Sequence, residues 1–211
     1  MNGGFFYCFL YCLCAVIFRF WHPFFSVKGR ENVARGKQYI ICANHAGMAD
    51  PIWMLLALRL GRFPRIMAKA ELMEIPILGA FLRKCNVFGV HRGEHDVTAI
   101  KAALQALRGG ESLLLYPEGT RVIALPDGSR VRASDGEPAQ GKTGAAMFAL
   151  RGDVPILPVY VSENRHPFSP VRVVIGKPYA LPQEDRKASP ETLRRYTDEL
   201  MEKIYALGAK S

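Results

Sequence analysis

Five consecutive apolar residues, Tyr39-Ile40-Ile41-Cys42-Ala43, are followed at once by Asn44-His45 and, five positions after the histidine, by Asp50-Pro51. An apolar run of this length, closed by a polar turn, reads as a buried strand. Asp50-Pro51 reads as a helix start, with the aspartate as N-cap and proline at the first helical position. A histidine therefore leaves the end of a strand while a carboxylate waits where the next helix begins. A base oriented by a carboxylate is the minimum equipment for activating a hydroxyl. The same residues also fit a plainer arrangement, in which Asp50 only caps a helix, Asn44 serves a turn and His45 is an interior histidine.

The alternation continues along the chain. Pro51 to Leu60 reads as a helix, Arg65 to Ala68 as a strand, Ile77 to Lys84 as a helix and Asn86 to Val90 as a strand. Val97, Ile100, Leu104 and Leu107 lie on one helix face, which stops at Gly109-Gly110. Ser112 to Tyr116 reads as another buried strand, Gly141 to Leu150 as a helix, and Ile156 to Val161 and Val171 to Ile175 as strands. Ser189-Pro190 starts a last helix with an apolar stripe at Leu193, Tyr196, Leu200, Ile204 and Leu207, ended by Gly208. Strands alternating with helices predict a single α/β domain with a largely parallel central sheet flanked by helices. Ligands in such sheets gather at the carboxyl ends of the strands.

Ahead of this domain, Phe5 to Phe18 is an uncharged apolar run. As a helix it would reach roughly 21 Å, short of the ~30 Å hydrocarbon core of a bilayer. No Lys or Arg precedes it and no small-residue cleavage site follows, which disfavours a signal peptide. Basic residues come afterwards, at Arg19, Lys28, Arg30, Arg35 and Lys37, and the flanking Trp21 suits an interface. Residues 1–24 are therefore expected to form a membrane-associating helix dipping into one leaflet. Residues 25–211 would form the following domain, on the cytoplasmic face. A net charge of +9 over 211 residues suits anionic membranes and phosphorylated substrates. Nucleic acid is disfavoured, since no recognition motif or dense basic run is present. The five cysteines form no C-x-x-C pair and the histidines lack zinc-type spacing, so neither a disulfide framework nor a metal site is expected.

Two more clusters follow strands. Gly89-Val90-His91-Arg92-Gly93 offers a cation, and Tyr116-Pro117-Glu118-Gly119-Thr120-Arg121 a carboxylate and a second cation. Arg92 and Arg121 could fork a phosphate, because the planar guanidinium matches phosphate oxygens. Glu118 could accept hydrogen bonds from ligand hydroxyls or neutralise an arginine. Taken singly, Pro-Glu-Gly is also a good turn and an arginine on a loop is usually solvated. Val154-Pro155-Ile156-Leu157-Pro158-Val159 carries two prolines, so that strand should start late, lie at an edge or bulge. With an open edge it could line a groove for an acyl chain.

In this order the blocks resemble the glycerolipid acyltransferase family, most closely its 1-acyl-glycerol-3-phosphate acyltransferases. The N-H-x-x-x-x-D motif is met by Asn44, His45 and Asp50, and F-P-E-G-T-R by Pro117 to Arg121 with Tyr116 in place of Phe. Val90-His91-Arg92 corresponds to the arginine motif, although His91 is not the usual neighbour, and Val154 to Val159 meets V-P-[IV]-x-P-V. Lys69 to Leu72 and Lys142 to Gly144 resemble intervening K-x-E-L and K-x-G positions. The resemblance runs from about residue 25 to residue 180. Residues 122–140 form a longer loop than the pattern leads one to expect. Its Asp127-Gly128 and Asp135-Gly136 turn dipeptides fit a hairpin overhanging the substrate site.

The resemblance implies transfer of a fatty acyl group from a thioester donor, acyl-CoA or acyl carrier protein, to the sn-2 hydroxyl of 1-acyl-glycerol-3-phosphate, yielding phosphatidic acid. It implies His45 as general base and Asp50 as its orienting carboxylate. Arg92 and Arg121 would hold the acceptor phosphate, and Glu118 and Gly119 would shape that pocket. Asn44, Thr120, Lys69, Lys142 and Pro158 are the further motif positions expected near substrate. No cofactor or metal is implied. A His-Asp hydrolase using water, or a non-catalytic basic membrane-binding protein, are the rival classes.

Overall fold

The computed structural model describes residues 3–90, 96–163 and 168–209. The apolar run around Ile40 forms the central strand β2 (Ile40–Ala43), whose four residues are all buried. It pairs in parallel with β5 (Leu113–Leu115) on one side and β8 (Ile156–Val161) on the other, with Ile40 opposite both Leu113 and Ile156. Beyond β5 lie β3 (Arg65–Lys69) and β4 (Val87–Val90), also parallel. Beyond β8 lie β9 (Val171–Ile175) and β1 (Phe25–Lys28), which run parallel to each other and antiparallel to β8. The strand order is β1-β9-β8-β2-β5-β3-β4, so the expected largely parallel sheet is present, with two reversed strands at one edge.

Alternate residues of the strands feed two layers, as strand geometry requires. Ile40, Cys42, Leu113, Leu115 and Ile156 pack with residues of α5 (Val97–Arg108), α6 (Gly144–Gly152) and α7 (Pro190–Ala209). Ile41, Ala43, Leu114, Leu157 and Val159 pack against α2 (Asp50–Leu58) and the N-terminal helix α1 (Gly3–Trp21). Each such fully buried Ile or Leu side chain contributes roughly 1.5–3 kcal/mol.

Two short helices, α3 (Ala70–Glu74) and α4 (Pro76–Lys84), fill the connection between β3 and β4. Residues 122–140 do begin with a hairpin, β6 (Val122–Ala124) pairing antiparallel with β7 (Arg130–Arg132). Gly128 turns it with φ +85°, a region that a side chain disfavours.

Two local expectations change. Asp50 is the first residue of α2 and not its N-cap; Ala49 holds that position without a side-chain cap bond. The aspartate is used elsewhere, as described below. Nor is β8 an edge strand: it is flanked by β2 and β9, which removes the open edge proposed for an acyl chain. Its second proline is accommodated by a bulge. Ile156 exchanges hydrogen bonds with Tyr179 while Val159 pairs with Ile175, so three steps on β8 face four on the opposing segment. Pro158 sits where that register slips and uses only its carbonyl, which accepts the Gly176 N–H at 2.9 Å.

Helix α1 lies along α2. Phe18 and His22 meet the Trp53 ring edge-on, at 4.9 and 5.1 Å between centroids, and Tyr7 meets Phe63 at 5.0 Å. Its other face is bare: Phe5, Phe9, Val16 and Phe20 are 55–82% exposed. The stretch Gly4–Trp21 is long and apolar enough to cross a membrane, with mean hydropathy 1.7.

Candidate active site

The carboxyl ends of β2, β3, β5 and β8 open on one edge of the sheet, and the motif residues leave from there. Asn44 follows β2 directly. It is fully buried, and its amide both donates to the Val161 carbonyl (2.9 Å) and accepts the Val161 N–H (2.8 Å). The side chain thus imitates a strand backbone, tying the ends of β2 and β8 together. Both its polar atoms are engaged, so Asn44 supports the site in place of the substrate contact expected of it.

His45 comes next and is fixed at four points. Its main-chain N–H donates to Glu118 Oε2 at 2.7 Å, and its carbonyl accepts the Val122 N–H at 2.7 Å. Its ring stacks on Tyr116, with centroids 4.2 Å apart and 21° between planes. Its Nδ1 lies 2.7 Å from Asp50 Oδ2. Asp50 has no exposed surface, and the same Oδ2 accepts the N–H groups of Ala46 and Gly47, each at 2.9 Å. An ionised Asp50 requires Nδ1 to carry the proton, which leaves Nε2 with a lone pair. The His45 side chain keeps 18% of its surface open. In this arrangement the pair can serve as an oriented base.

Glu118 faces inward. Only 3% exposed, it bonds to the His45 N–H through one oxygen and to the Tyr205 hydroxyl through the other. Burial pushes its carboxyl up to about 7, against the pull of the two hydrogen bonds. Neither a ligand hydroxyl nor an arginine takes the place foreseen for it. Gly119 has φ +69°, and a side chain there would run into the Lys142 stem, 2.7 Å from its Cε. Lys142 is itself held by its N–H to the Pro117 carbonyl at 2.7 Å. Thr120 is half-buried and Arg121 exposed, one residue from the Val122 contact to His45.

Lys69 ends β3 and is half exposed, paired with Glu71 at 2.9 Å. Pro158 is buried mid-strand, where a Cβ on Gly176 would be only 2.9 Å from its Cγ. It packs the core and forms no wall of the site. Arg92 and His91 lie outside the described residues.

Tyr205 was missed. It stands beside the apolar stripe of α7, and nothing in its local sequence marks it; only the fold carries the helix under Glu118. All five cysteines are free, and Cys42, three residues before His45, is fully buried with its thiol pushed up by burial. It is not a reactive thiol.

Residues 24–162 match the family model described as Acyltransferase. The chain belongs to this family. The acyltransferase is similar to the 1-acyl-sn-glycerol-3-phosphate acyltransferase of Bacillus subtilis, with 27% identity over 193 residues and 88% of each chain covered. It is also similar to the yeast Saccharomyces cerevisiae protein of that name, 32% identical over 152 residues. That match covers 69% of this chain but 45% of the yeast protein. Among solved structures it matches PlsC of Thermotoga maritima, a 1-acyl-sn-glycerophosphate (LPA) acyltransferase, with TM-score 0.58 and 26% identity. The match covers 85% of this chain and 69% of that one.

Proposed function

We propose that this acyltransferase moves a fatty acyl group from a thioester donor to the sn-2 hydroxyl of 1-acyl-glycerol-3-phosphate. The observation that carries the chemistry is the His45–Asp50 contact, with the base lone pair directed to Nε2. The acceptor hydroxyl attacks the thioester carbonyl carbon as His45 takes its proton. Collapse of the tetrahedral adduct breaks the C–S bond, and the departing thiolate receives that proton. Asp50 offsets the imidazolium between the two steps. No protein nucleophile is required, since the acceptor itself attacks; catalysis is then chiefly positioning.

Arg121, exposed beside the His45 loop, supplies a guanidinium for the acceptor phosphate, with Arg92 as its partner in this reading. Lys142, crossing Gly119, adds positive charge nearby. Membrane contact is supplied by the bare face of α1. Beside it a groove of about 630 Å³, lined by Tyr11, Phe20, Phe25, Trp53 and Leu56 and edged by Arg19 and Arg59, gives hydrocarbon an apolar bed. The basic residues after α1 support a catalytic domain on the cytoplasmic side.

The test is an acyl-transfer assay with purified enzyme in mixed micelles. Acyl-CoA and acyl carrier protein donors are each offered lysophosphatidate, lysophosphatidylcholine, monoacylglycerol or no acceptor. Phosphatidic acid formed from lysophosphatidate well ahead of the other products supports the reading. Free fatty acid released equally with and without acceptor would show a hydrolase instead.

A further inference from the structure

We infer that Tyr205, on the C-terminal helix, is a positioning residue for His45: through Glu118 it fixes the main chain from which the base projects. The inference rests on the reading of His45 as the base, and assigns a role to a residue, Tyr205, that no motif includes.

Both oxygens of the buried Glu118 are used, one by the His45 N–H and one by the Tyr205 hydroxyl. The tyrosine is in turn held from outside. The Arg130 guanidinium lies 3.6 Å over its ring, and Arg130 Nε is 3.0 Å from Glu163 Oε1. Helix α7 sits tightly on β8, where a Cβ on Gly208 would be 2.5 Å from the Tyr160 ring. A continuous path therefore runs from α7 and the inserted hairpin, through one carboxylate, to the strand end that carries the base.

The charge state of Glu118 decides how firmly this path holds. As a carboxylate it is a strong acceptor for the His45 N–H; once protonated it is a weak one. Desolvation works against ionisation, and the Tyr205 hydroxyl works for it. The other groups facing it are mixed. Arg130 on β7 favours the anion and Glu163 beyond β8 opposes it. Arg194, Asp198 and Glu202 of α7 line a cavity of about 250 Å³ that Glu118, Arg130 and Tyr205 also bound. Lys142 passes over Gly119, next to the carboxylate. Among the described residues Tyr205 supplies the one hydroxyl bonded to Glu118, so its removal moves the ionisation to higher pH.

The experiment compares wild type with Tyr205→Phe, which deletes a single oxygen, after confirming an unchanged circular dichroism spectrum and cooperative melting. At pH 7 kcat should fall about fivefold, with KM for both substrates within about twofold. The deficit should shrink toward pH 9, because the acid limb of kcat moves up by about one pH unit. On a Glu118→Gln background, Tyr205→Phe should cost less than about twofold. Arg130→Met, which frees the tyrosine ring and removes a charge that favours the anion, should give a smaller shift in the same direction. A second readout needs no turnover. The main-chain amide resonance of His45 should titrate near neutral pH in wild type and at higher pH in Tyr205→Phe. A loss of kcat equal at every pH, or an amide titration that does not move, would overturn the inference. If wild type transfers no acyl group to any acceptor, the proposed function fails, and the amide titration still decides whether Tyr205 governs the His45 main chain.

Discussion

Asp50 Oδ2 lies 2.7 Å from His45 Nδ1 while also accepting the N–H groups of Ala46 and Gly47. One oxygen thus closes the loop and aims the ring, so the geometry of the loop and the tautomer of the base are a single property. Asp50→Asn keeps the shape of the side chain but offers either an uncharged oxygen or an amide to the imidazole. With the amide turned to the ring, Nδ1 must accept and Nε2 carries the proton, which is the wrong form for a base. Single-turnover acyl transfer should fall roughly 10²–10⁴-fold. A loss under tenfold in a folded variant would remove Asp50 from the mechanism.

Asn44 invites a different substitution. Its amide both donates to and accepts from Val161 in a site with no solvent exposure. Asn44→Asp cannot donate to the Val161 carbonyl unless it is protonated, and otherwise buries a charge. The expected cost is roughly 3 kcal/mol of unfolding free energy. Urea denaturation above and below pH 5 measures it, and the loss should be smaller in acid, where the carboxyl can hold a proton. A variant as stable as wild type at neutral pH would contradict the paired-strand role of Asn44.

The architecture was legible because its signals are collective. The β2 run, the 3-4 spacing along α5 and the order of strand-end motifs each repeat one pattern over several residues. What was hidden turns on single side chains whose type does not say which way they face. A glutamate in Pro-Glu-Gly looks the same whether it meets a ligand or the His45 main chain. Asp50 before a proline looks like a cap, but at the first helical position its carboxylate can bend back to the preceding loop. Pro158 signalled disturbance in β8 correctly, yet only the partner strand shows that the disturbance is a bulge inside the sheet. Strand β1 follows the apolar helix so closely that its four residues carry no separate signal.

Glu118 should leave a mark on stability as well as on activity. In the folded protein its carboxyl holds a proton up to about 7, against an ordinary value of 4.5. Between those values the folded state binds more protons than the unfolded one, so this group lowers stability as pH rises through that window and does so fully above it. Glu118→Gln removes the ionisation, and the Tyr205 hydroxyl can turn to accept from the new amide. Between pH 5 and pH 8 the stability difference should move in favour of the variant by up to about 3 kcal/mol. Thermal melting at both pH values checks this, and a pH-independent difference would show that Glu118 is ionised throughout.

Arg121 is exposed beside the His45 loop, so its removal should spare the fold. Arg121→Ala should raise KM for lysophosphatidate at least tenfold and leave transfer to monoacylglycerol within about twofold. Equal losses on both acceptors would argue against a phosphate contact.

The bare face of α1 supplies the last prediction. Phe5, Phe9, Val16 and Phe20 are exposed along one side of the helix, while Tyr7 and Cys14 are buried on the other. The helix is therefore both anchored and presented, and a charge on its outer side should act on membrane contact with little effect on folding. In the double variant Phe9→Glu, Val16→Glu each carboxylate would have to enter the hydrocarbon, and each also repels an anionic surface. Flotation with phosphatidylglycerol-containing vesicles should show most of the wild type bound and the variant mostly free. The melting temperature should stay within about 2 °C. Transfer to a short-chain, water-soluble lysophosphatidate should persist, because neither position touches the His45 loop. Activity lost on that soluble acceptor would mean that α1 shapes the catalytic site as well as carrying the enzyme to its lipid.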